Sequence, residues 1–287
     1  MEKMEDQNGF EQKLHEIRKG GTRIKEAHPP EYDPKVPRLG RRESEPHSAV
    51  ITYLFDVLRT NFPNDRVTWD LHHYFSIPEL DLQLDIQFDI SYFRDLSIPY
   101  ELPSYNAAVY DNKVPTMAVN VLSKSTWKID IGEHLDLCKA IKIPVYVVFS
   151  AYNVATKLYR PPFLRVYFLQ EDGEYRTEEL REITIDTEEK QNPDALIDLS
   201  PLLPFRLGIM QRKVKFKGAK PTFHMILVKP ESMETFPTSL EKETARAEME
   251  IEKRKQVEEE KKQVEKAKAK YLKLLKKHKI NPESDIE

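Results

Sequence analysis

Between Asp81 and Ser91 polar and apolar residues alternate without a break: Leu82, Leu84, Ile86, Phe88 and Ile90 against Asp81, Gln83, Asp85, Gln87, Asp89 and Ser91. A period of two belongs to a β-strand with one buried and one polar face, and Asp85, Gln87 and Asp89 share the polar one. Upstream, Val50, Leu54, Val57 and Leu58 recur at helical spacing between Pro46 and Pro63, which predicts an amphipathic helix. A further strand is expected over Arg66 to Phe75.

Downstream the pattern changes to that of a βαβ unit. Met117 to Leu122 is a short apolar run, as a strand buried on both faces would be. Ser123 to Asp130 is polar and carries the chain into a helix whose buried stripe is Ile131, Leu135, Cys138 and Ile141 or Lys142. Pro144 ends it, and Val145 to Phe149 reads as a second buried strand, parallel to the first with a right-handed crossover. Later strands are expected at Leu164 to Leu169, Arg212 to Phe216 and Phe223 to Val228. Thr184 to Pro193 reads as a loop and Pro230 to Pro237 as a linker.

The two ends differ from this core. Phe10 to Lys19 fits a short helix stopped by Gly20 and Gly21, followed by an extended segment carrying Pro29, Pro30, Pro34 and Pro37. Leu240 to Ile280 is dense in Glu, Lys, Arg and Ala without Gly or Pro, a helix composition. Val257, Val264 and Tyr271 are seven apart, with Ala267 and Leu274 at a second seam position. Before Val257 that seam dissolves into charge. A solvated helix held by ion pairs four residues apart and a short coiled coil in the last turns both fit. The expected organisation is an irregular arm over 1–44, an α/β domain over 45–228, a linker over 229–239 and a charged helical tail over 240–287.

Composition narrows the function classes. Of the 287 residues 39% are hydrophobic and 32% charged, so part of the chain is solvated while a core of ordinary size remains. A net charge of -3 argues against a globally basic nucleic-acid coat but leaves local patches open. Cys138 is the only cysteine, which excludes an intrachain disulfide and a cysteine zinc site and suits a reducing cytoplasm. The first residues lack the apolar core of a secretory signal, and no apolar run is long enough for a bilayer. The expectation is a cytoplasmic protein with no membrane partner.

Metal-dependent phosphodiester cleavage needs carboxylates to hold a divalent cation, usually magnesium, and a nearby cation to stabilise charge. The stretch from Pro115 to Phe149, with its Val-Leu-Ser-Lys-Ser-Thr run, its Asp130 and its βαβ context, resembles the Uma-two-like restriction endonuclease family of the PD-(D/E)XK superfamily. Gln87-Phe88-Asp89-Ile90 resembles that family's Pro-Asp-Val strand. His47 with Val50 to Leu58 resembles its opening helix, and Leu164 to Tyr175 its Tyr-rich final strands. The similarity covers roughly residues 45 to 210. It implies an α/β fold, restriction-endonuclease-like, with a central mixed sheet flanked by helices, to which this chain adds a long charged C-terminal helix.

The resemblance also implies a catalytic set of Asp89, Asn120 and His134, with Asp89 and Asn120 as metal ligands and Mg or Mn as cofactor if the site is active. Here the chain departs from the family. Asn120 stands where the strand Glu belongs, and His134 where the helix Lys belongs. An amide offers one neutral oxygen and cannot neutralise a dication as a carboxylate does. A histidine with an ordinary pKa of about 6.5 is a cation for only part of its population near neutrality. The site is therefore disabled or retuned, and disabled is the expectation unless Glu45, Asp70 or Asp85 repairs it.

Plainer readings stand beside these roles. Asp89 fits the polar face of a half-exposed strand, Asn120 a satisfied structural amide, His134 a surface helix position, and Asp130 a helix N-cap. Ser123, Ser125 and Thr126 fit turn formers, Cys138 a core position, and Trp127 a turn aromatic. His72 and His73, adjacent on a strand, point to opposite faces and do not share an ion. Lys213, Lys215 and Lys217 fall on one strand face as a DNA-binding stripe for double-stranded DNA, which Arg38, Arg41 and Arg42 would extend. The same stripe equally protects a sheet edge. Two functions follow: a metal-dependent DNA endonuclease, or a non-catalytic DNA-binding or protein-assembly module that forms a homo-oligomer through its C-terminal helix. An unrelated protein sharing only the βαβ pattern is a third reading, excluded by a fold that sets Asp89 and Asn120 on neighbouring strands.

Overall fold

The computed structural model describes residues 44–77, 82–153, 156–186, 188–212 and 221–277. The chain divides into two units between Phe236 and Pro237. The expected N-terminal helix and arm, and Lys213, Lys215 and Lys217, lie outside the described residues.

The first unit opens with helix α1 (Glu45–Asn61), which starts at Pro46 and stops before Pro63 as its pattern predicts. Strands β1 (Arg66–Ile77) and β2 (Leu82–Phe93) pair antiparallel over their whole length. β3 (Tyr105–Asn106), β4 (Met117–Val121), β5 (Val145–Ser150), β6 (Phe163–Leu169) and β7 (Tyr175–Leu180) complete a seven-stranded mixed sheet in the order β3-β1-β2-β4-β5-β6-β7. β4 and β5 run parallel, as expected of the βαβ unit, and every residue of both is buried. That burial is why they read as unbroken apolar runs. A second sheet of β8 (Ile197–Asp198), β9 (Arg206–Arg212) and β10 (Thr222–Val228) is antiparallel. This is a mixed α/β architecture of the restriction-endonuclease-like kind.

Two cores cover the two faces of the large sheet. On one, Val50, Leu54, Val57 and Leu58 of α1 pack with Val119, Val147 and Val166 and with Leu207, Ile209, Met225 and Leu227 of the small sheet. On the other, Ala118, Tyr146 and Val148 pack with Leu137 and Cys138 and with Phe75, Ile86 and Phe88. The connection from β4 to β5 is two helices, α2 (Trp127–Ile131) and α3 (Glu133–Ala140), broken at Gly132. Helix thus begins within the stretch expected to be a polar turn. Ser123 starts it: its hydroxyl accepts the Thr126 N–H at 3.2 Å and its carbonyl the Trp127 N–H at 3.2 Å.

β2 carries the feature that positions the site. Phe88 belongs to the α3-side core and Ile90 to the α1-side core, although they are two residues apart. A strand with a regular pleat would send both to one side, so β2 turns over between them. Its pairing with β4 covers only Ile90 to Tyr92. Across the hairpin, Asp70 sits between the partners of Ile90 and Phe88 in the left-handed region, at φ 48°.

Other expectations need correction. The strand expected at Arg212 to Phe216 lies, beyond Arg212, outside the described residues; the described strand β9 ends at Arg212 and reaches the core through Leu207, Gly208 and Ile209. β3, β7 and β8 are strands that the pattern did not disclose: two are two residues long, and β7 sets the half-buried Tyr175 ahead of a polar Arg-Thr-Glu-Glu run with no apolar alternation. After β10 the chain turns back, Thr235 bridging to Val228 and Phe236 packing 5.2 Å from Phe62.

The second unit is helix α4 (Ser239–Lys277), 39 residues long. It opens with a capping box in which the Glu241 N–H donates to the Thr238 hydroxyl and the Thr238 N–H to the Glu241 carboxylate, at 3.2 and 2.7 Å. Ion pairs four apart follow, Glu250 with Arg254 and Glu258 with Lys262. Among the described residues no helix is long and apolar enough to cross a membrane.

Gly208 gives a direct check of the small sheet. A Cβ there would stand 2.5 Å from the Thr184 hydroxyl oxygen, which itself accepts the Ile209 N–H at 2.8 Å in a fully buried position. Gly208→Ala is expected to lower the unfolding free energy by about 1–3 kcal/mol, read as a drop in the urea midpoint at constant slope.

Candidate active site

The three residues expected to form the catalytic set meet where β2 leaves β4. Asp89 and Asn120 are on neighbouring strands. The Asp89 N–H donates to the Asn120 side-chain oxygen at 3.3 Å, and the Val121 N–H donates to Asp89 Oδ2 at 2.7 Å. The ladder has ended here, so both backbone donors would lack partners. The two side chains supply them.

Asn120 is 3% exposed, and its Nδ2 faces three groups: Asp130 Oδ1 at 3.1 Å, His134 Nδ1 at 2.7 Å and the Tyr146 hydroxyl at 3.1 Å. Turning the amide over would set its NH2 group against the Asp89 N–H, donor against donor. Its N–H groups, not its oxygen, therefore point at the acidic side of the site. This is the satisfied structural amide.

His134 does not occupy a surface position. Its Nδ1 receives the Asn120 N–H, which places the ring proton on Nε2. Burial holds its pKa below the ordinary value, while the charges of Glu133 and Asp89 act the other way. The ring edge lies against Phe88, centroids 6.2 Å apart. Burial thus favours the neutral imidazole at position 134, whose Nδ1 also stands 3.5 Å from Asp130 Oδ1.

Asp130 is not an N-cap. It lies in α2 and is 4% exposed; Oδ2 accepts the Thr126 hydroxyl at 2.9 Å, and its backbone carbonyl accepts the Tyr146 hydroxyl at 2.7 Å. Burial pushes its pKa up to about 7, and the Asp89 charge adds to that. Hydrogen bonds from Thr126 and Asn120 and the nearby His47 oppose the rise. His47, from the first turn of α1, brings Nε2 to 3.4 Å from Asp89 Oδ2. His47 and Tyr146 are members of the site that residue-by-residue reading missed. His47 was legible in principle, since it shares a helix face with Val50, Ile51 and Leu54. Nothing in the sequence distinguishes the Tyr146 hydroxyl from that of any core tyrosine.

The donor set does not fit a divalent cation. Magnesium requires oxygen ligands, and Asn120 presents N–H groups. Asp89 Oδ2 is committed to Val121, and Asp130, its pKa pushed up to about 7 by burial, is protonated in about half of its population near neutral pH. Of the three carboxylates that were candidates to repair the site, two are engaged elsewhere: Asp85 with His72 Nδ1 at 2.8 Å, and Asp70 with the Gln87 amide. Among the described residues, no three His, Cys, Asp or Glu side chains form a group that could hold a metal ion. Ser123 links to Ser125 and Thr126 as a turn former, Cys138 is fully buried, and Trp127 packs 5.7 Å from Tyr159. His73 is buried between Phe75, Phe93 and Tyr105 while His72 is exposed, on the opposite face.

The buried acid makes stability depend on pH. A carboxyl whose pKa is raised on folding contributes stability that is complete below pH about 4 and is lost as pH rises through about 7. At about 1.4 kcal/mol per pKa unit, the effect is on the order of a few kcal/mol. The native chain is expected to lose unfolding free energy between pH 5 and pH 8 relative to Asp130→Asn. Urea titrations of both at each pH check this, and a difference that stays constant with pH would show that Asp130 is not a buried acid.

No protein-family model and no curated protein matches the chain. Among solved structures, a candidate nuclease of the DUF820 family from Anabaena variabilis aligns over 56% of this chain and 75% of its own, at 19% identity and a TM-score of 0.36. A likeness of that size carries no argument about activity.

Proposed function

We propose that this chain is a restriction-endonuclease-like protein without phosphodiesterase activity, and that it works as an assembly module through α4. The observation that carries the first half is the Asn120 amide, whose N–H groups fill the space between Asp130, His134 and Tyr146. A hydrogen-bond donor at that point repels a cation. A neutral His134 leaves nothing in the charge-stabilising role. Asp89 Oδ2, the Asn120 amide, both Asp130 carboxylate oxygens and the Tyr146 hydroxyl are each engaged by another side chain or by the backbone.

The second half rests on α4. Val257, Val264 and Tyr271 are 44–62% exposed, and Leu274 is 51% exposed. At 100° per residue they share a face with Ala267, while Lys262, Lys266 and Lys273 lie on the opposite side. An apolar seam backed by a solvated cationic stripe is buried when a second copy lies alongside in parallel. Double-stranded DNA on Lys213, Lys215 and Lys217 is the competing partner.

Two measurements test this reading. Incubated with supercoiled plasmid and magnesium, then manganese, the native chain is expected to leave the plasmid intact, while Asn120→Glu with His134→Lys nicks it. Nicking by the native chain that Asp89→Ala abolishes would overturn the proposal. In sedimentation velocity the native chain is expected to run as a dimer and Val264→Glu with Tyr271→Glu as a monomer. A native monomer that shifts plasmid DNA in a gel would instead favour the DNA-binding role.

A further inference from the structure

Away from the Asn120 network, two arginines converge on one tyrosine. Arg66, the first residue of β1, is 7% exposed and holds its guanidinium 4.4 Å from the Tyr100 ring centroid. Arg59, from the last turn of α1, stands 5.0 Å from the same centroid and 6.0 Å from that of Phe55. Arg66 Nη1 donates to the Val67 carbonyl at 3.0 Å, but its buried Nε finds no hydrogen-bond partner.

Burial and the neighbouring Arg59 cation both disfavour the charged Arg66, and the group facing its guanidinium is the neutral Tyr100 ring. Burying a guanidinium costs free energy unless a counter-ion or a full set of hydrogen bonds compensates it. A second cation beside it raises that cost. Arginine cannot escape by losing its proton, so the arrangement calls for an anion that the described residues do not supply.

The space for one is present. Arg59, Arg66, Phe55, Trp69, Tyr100 and Glu101 line a half-open groove of about 340 Å³, a size that accepts a small ligand. Trp69 is 54% exposed and Tyr100 53%. Trp69 is backed by Phe55, centroids 5.7 Å apart. An indole held rigidly from behind and open in front is a stacking surface for a planar ring. Paired guanidinium forks match the oxygens of a phosphate. Glu101, at the rim, is an acceptor for hydroxyl or amino groups and disfavours a ligand that is anionic throughout.

We propose that this groove binds a nucleotide unit, its base stacked on Trp69, its phosphate held by Arg59 and Arg66, and its sugar hydroxyls facing Glu101. The unit is either a free mononucleotide or one residue of a single-stranded nucleic acid.

Calorimetric titration of the full chain tests this with four probes: adenosine 5′-monophosphate, adenosine, ribose 5-phosphate and a single-stranded oligodeoxyadenylate of ten residues. The native chain is expected to bind the monophosphate or the oligomer. Adenosine and ribose 5-phosphate, each lacking half of the recognised chemistry, are expected to bind about tenfold more weakly or worse. Arg59→Gln and Trp69→Ala, both at exposed positions, are expected to weaken binding by a similar factor. Tighter binding of the oligomer than of the monophosphate identifies nucleic acid as the source, and the reverse identifies a free nucleotide.

Three results would overturn the proposal: no binding of either nucleotide probe at millimolar concentration, ribose 5-phosphate binding as tightly as the monophosphate, or affinity indifferent to Arg59→Gln and Trp69→Ala. The groove shares no residue with the Asn120 network. Asn120→Glu with His134→Lys is therefore expected to bind the probes as the native chain does, which keeps this test separate from that of the silent site.

Discussion

The fold depends on a hydrogen-bond exchange at the fork between β2 and β4. There the backbone ladder stops, β2 turns over, and the hairpin of β1 and β2 departs toward the α3 side of the sheet. Backbone donors stranded at such a point cost free energy if they are left dry. Asp89 accepts the Val121 N–H, and Asn120 accepts the Asp89 N–H. The same two side chains that the family resemblance assigns to metal binding thus act as the splice that lets one sheet serve two cores. This explains why position 120 tolerates an amide: the splice needs an acceptor there, and an amide supplies one without adding a carboxylate beside the partly buried Asp89 and the buried Asp130.

The amide then determines its surroundings. With Oδ1 committed to β2, Nδ2 must point toward α2 and α3, where it requires acceptors. A neutral imidazole is an acceptor and a lysine is not, so Asn120 and His134 form a compatible pair that a single reversion at either position would break. Asp130 completes the set as a carboxyl whose burial favours the protonated form. Charge has been withdrawn from the centre of the site, and a hydrogen-bonded core of ordinary kind remains.

Much of this was legible in the sequence where one force dominates. The alternation from Leu82 to Ile90 and the unbroken runs of β4 and β5 report burial directly, and α1 lies where its proline brackets and apolar spacing place it. The meeting of Asp89, Asn120 and His134 followed from family resemblance, not from periodicity, which has no access to contacts across strands. What escaped was decided by tertiary context. β7 pairs along β6 with hardly an apolar residue on its first five positions, because backbone hydrogen bonds suffice at a sheet edge. The burial of Asp130 and the tautomer of His134 depend on neighbours 10 and 14 residues from Asn120 and on Tyr146, 26 away. No local pattern encodes those distances. Arg66 could not be flagged either, since an arginine opening a strand is usually solvated.

Buried polar groups in this protein fall into two kinds, and the contrast bears on where it acts. Around Asn120 each side chain is paired with another, the charge is low, and the network's energy is spent inside the molecule. Such a site rigidifies the fold and has little left with which to attract a ligand. Around Arg66 the accounting is open: a dry cation, a second cation beside it, a donor without an acceptor and an aromatic wall left to solvent. Stability alone would select against that arrangement, because replacing Arg66 with an apolar residue of similar volume would remove the cost without disturbing β1. Its presence shifts attention from the Asn120 network to the groove between α1 and β1.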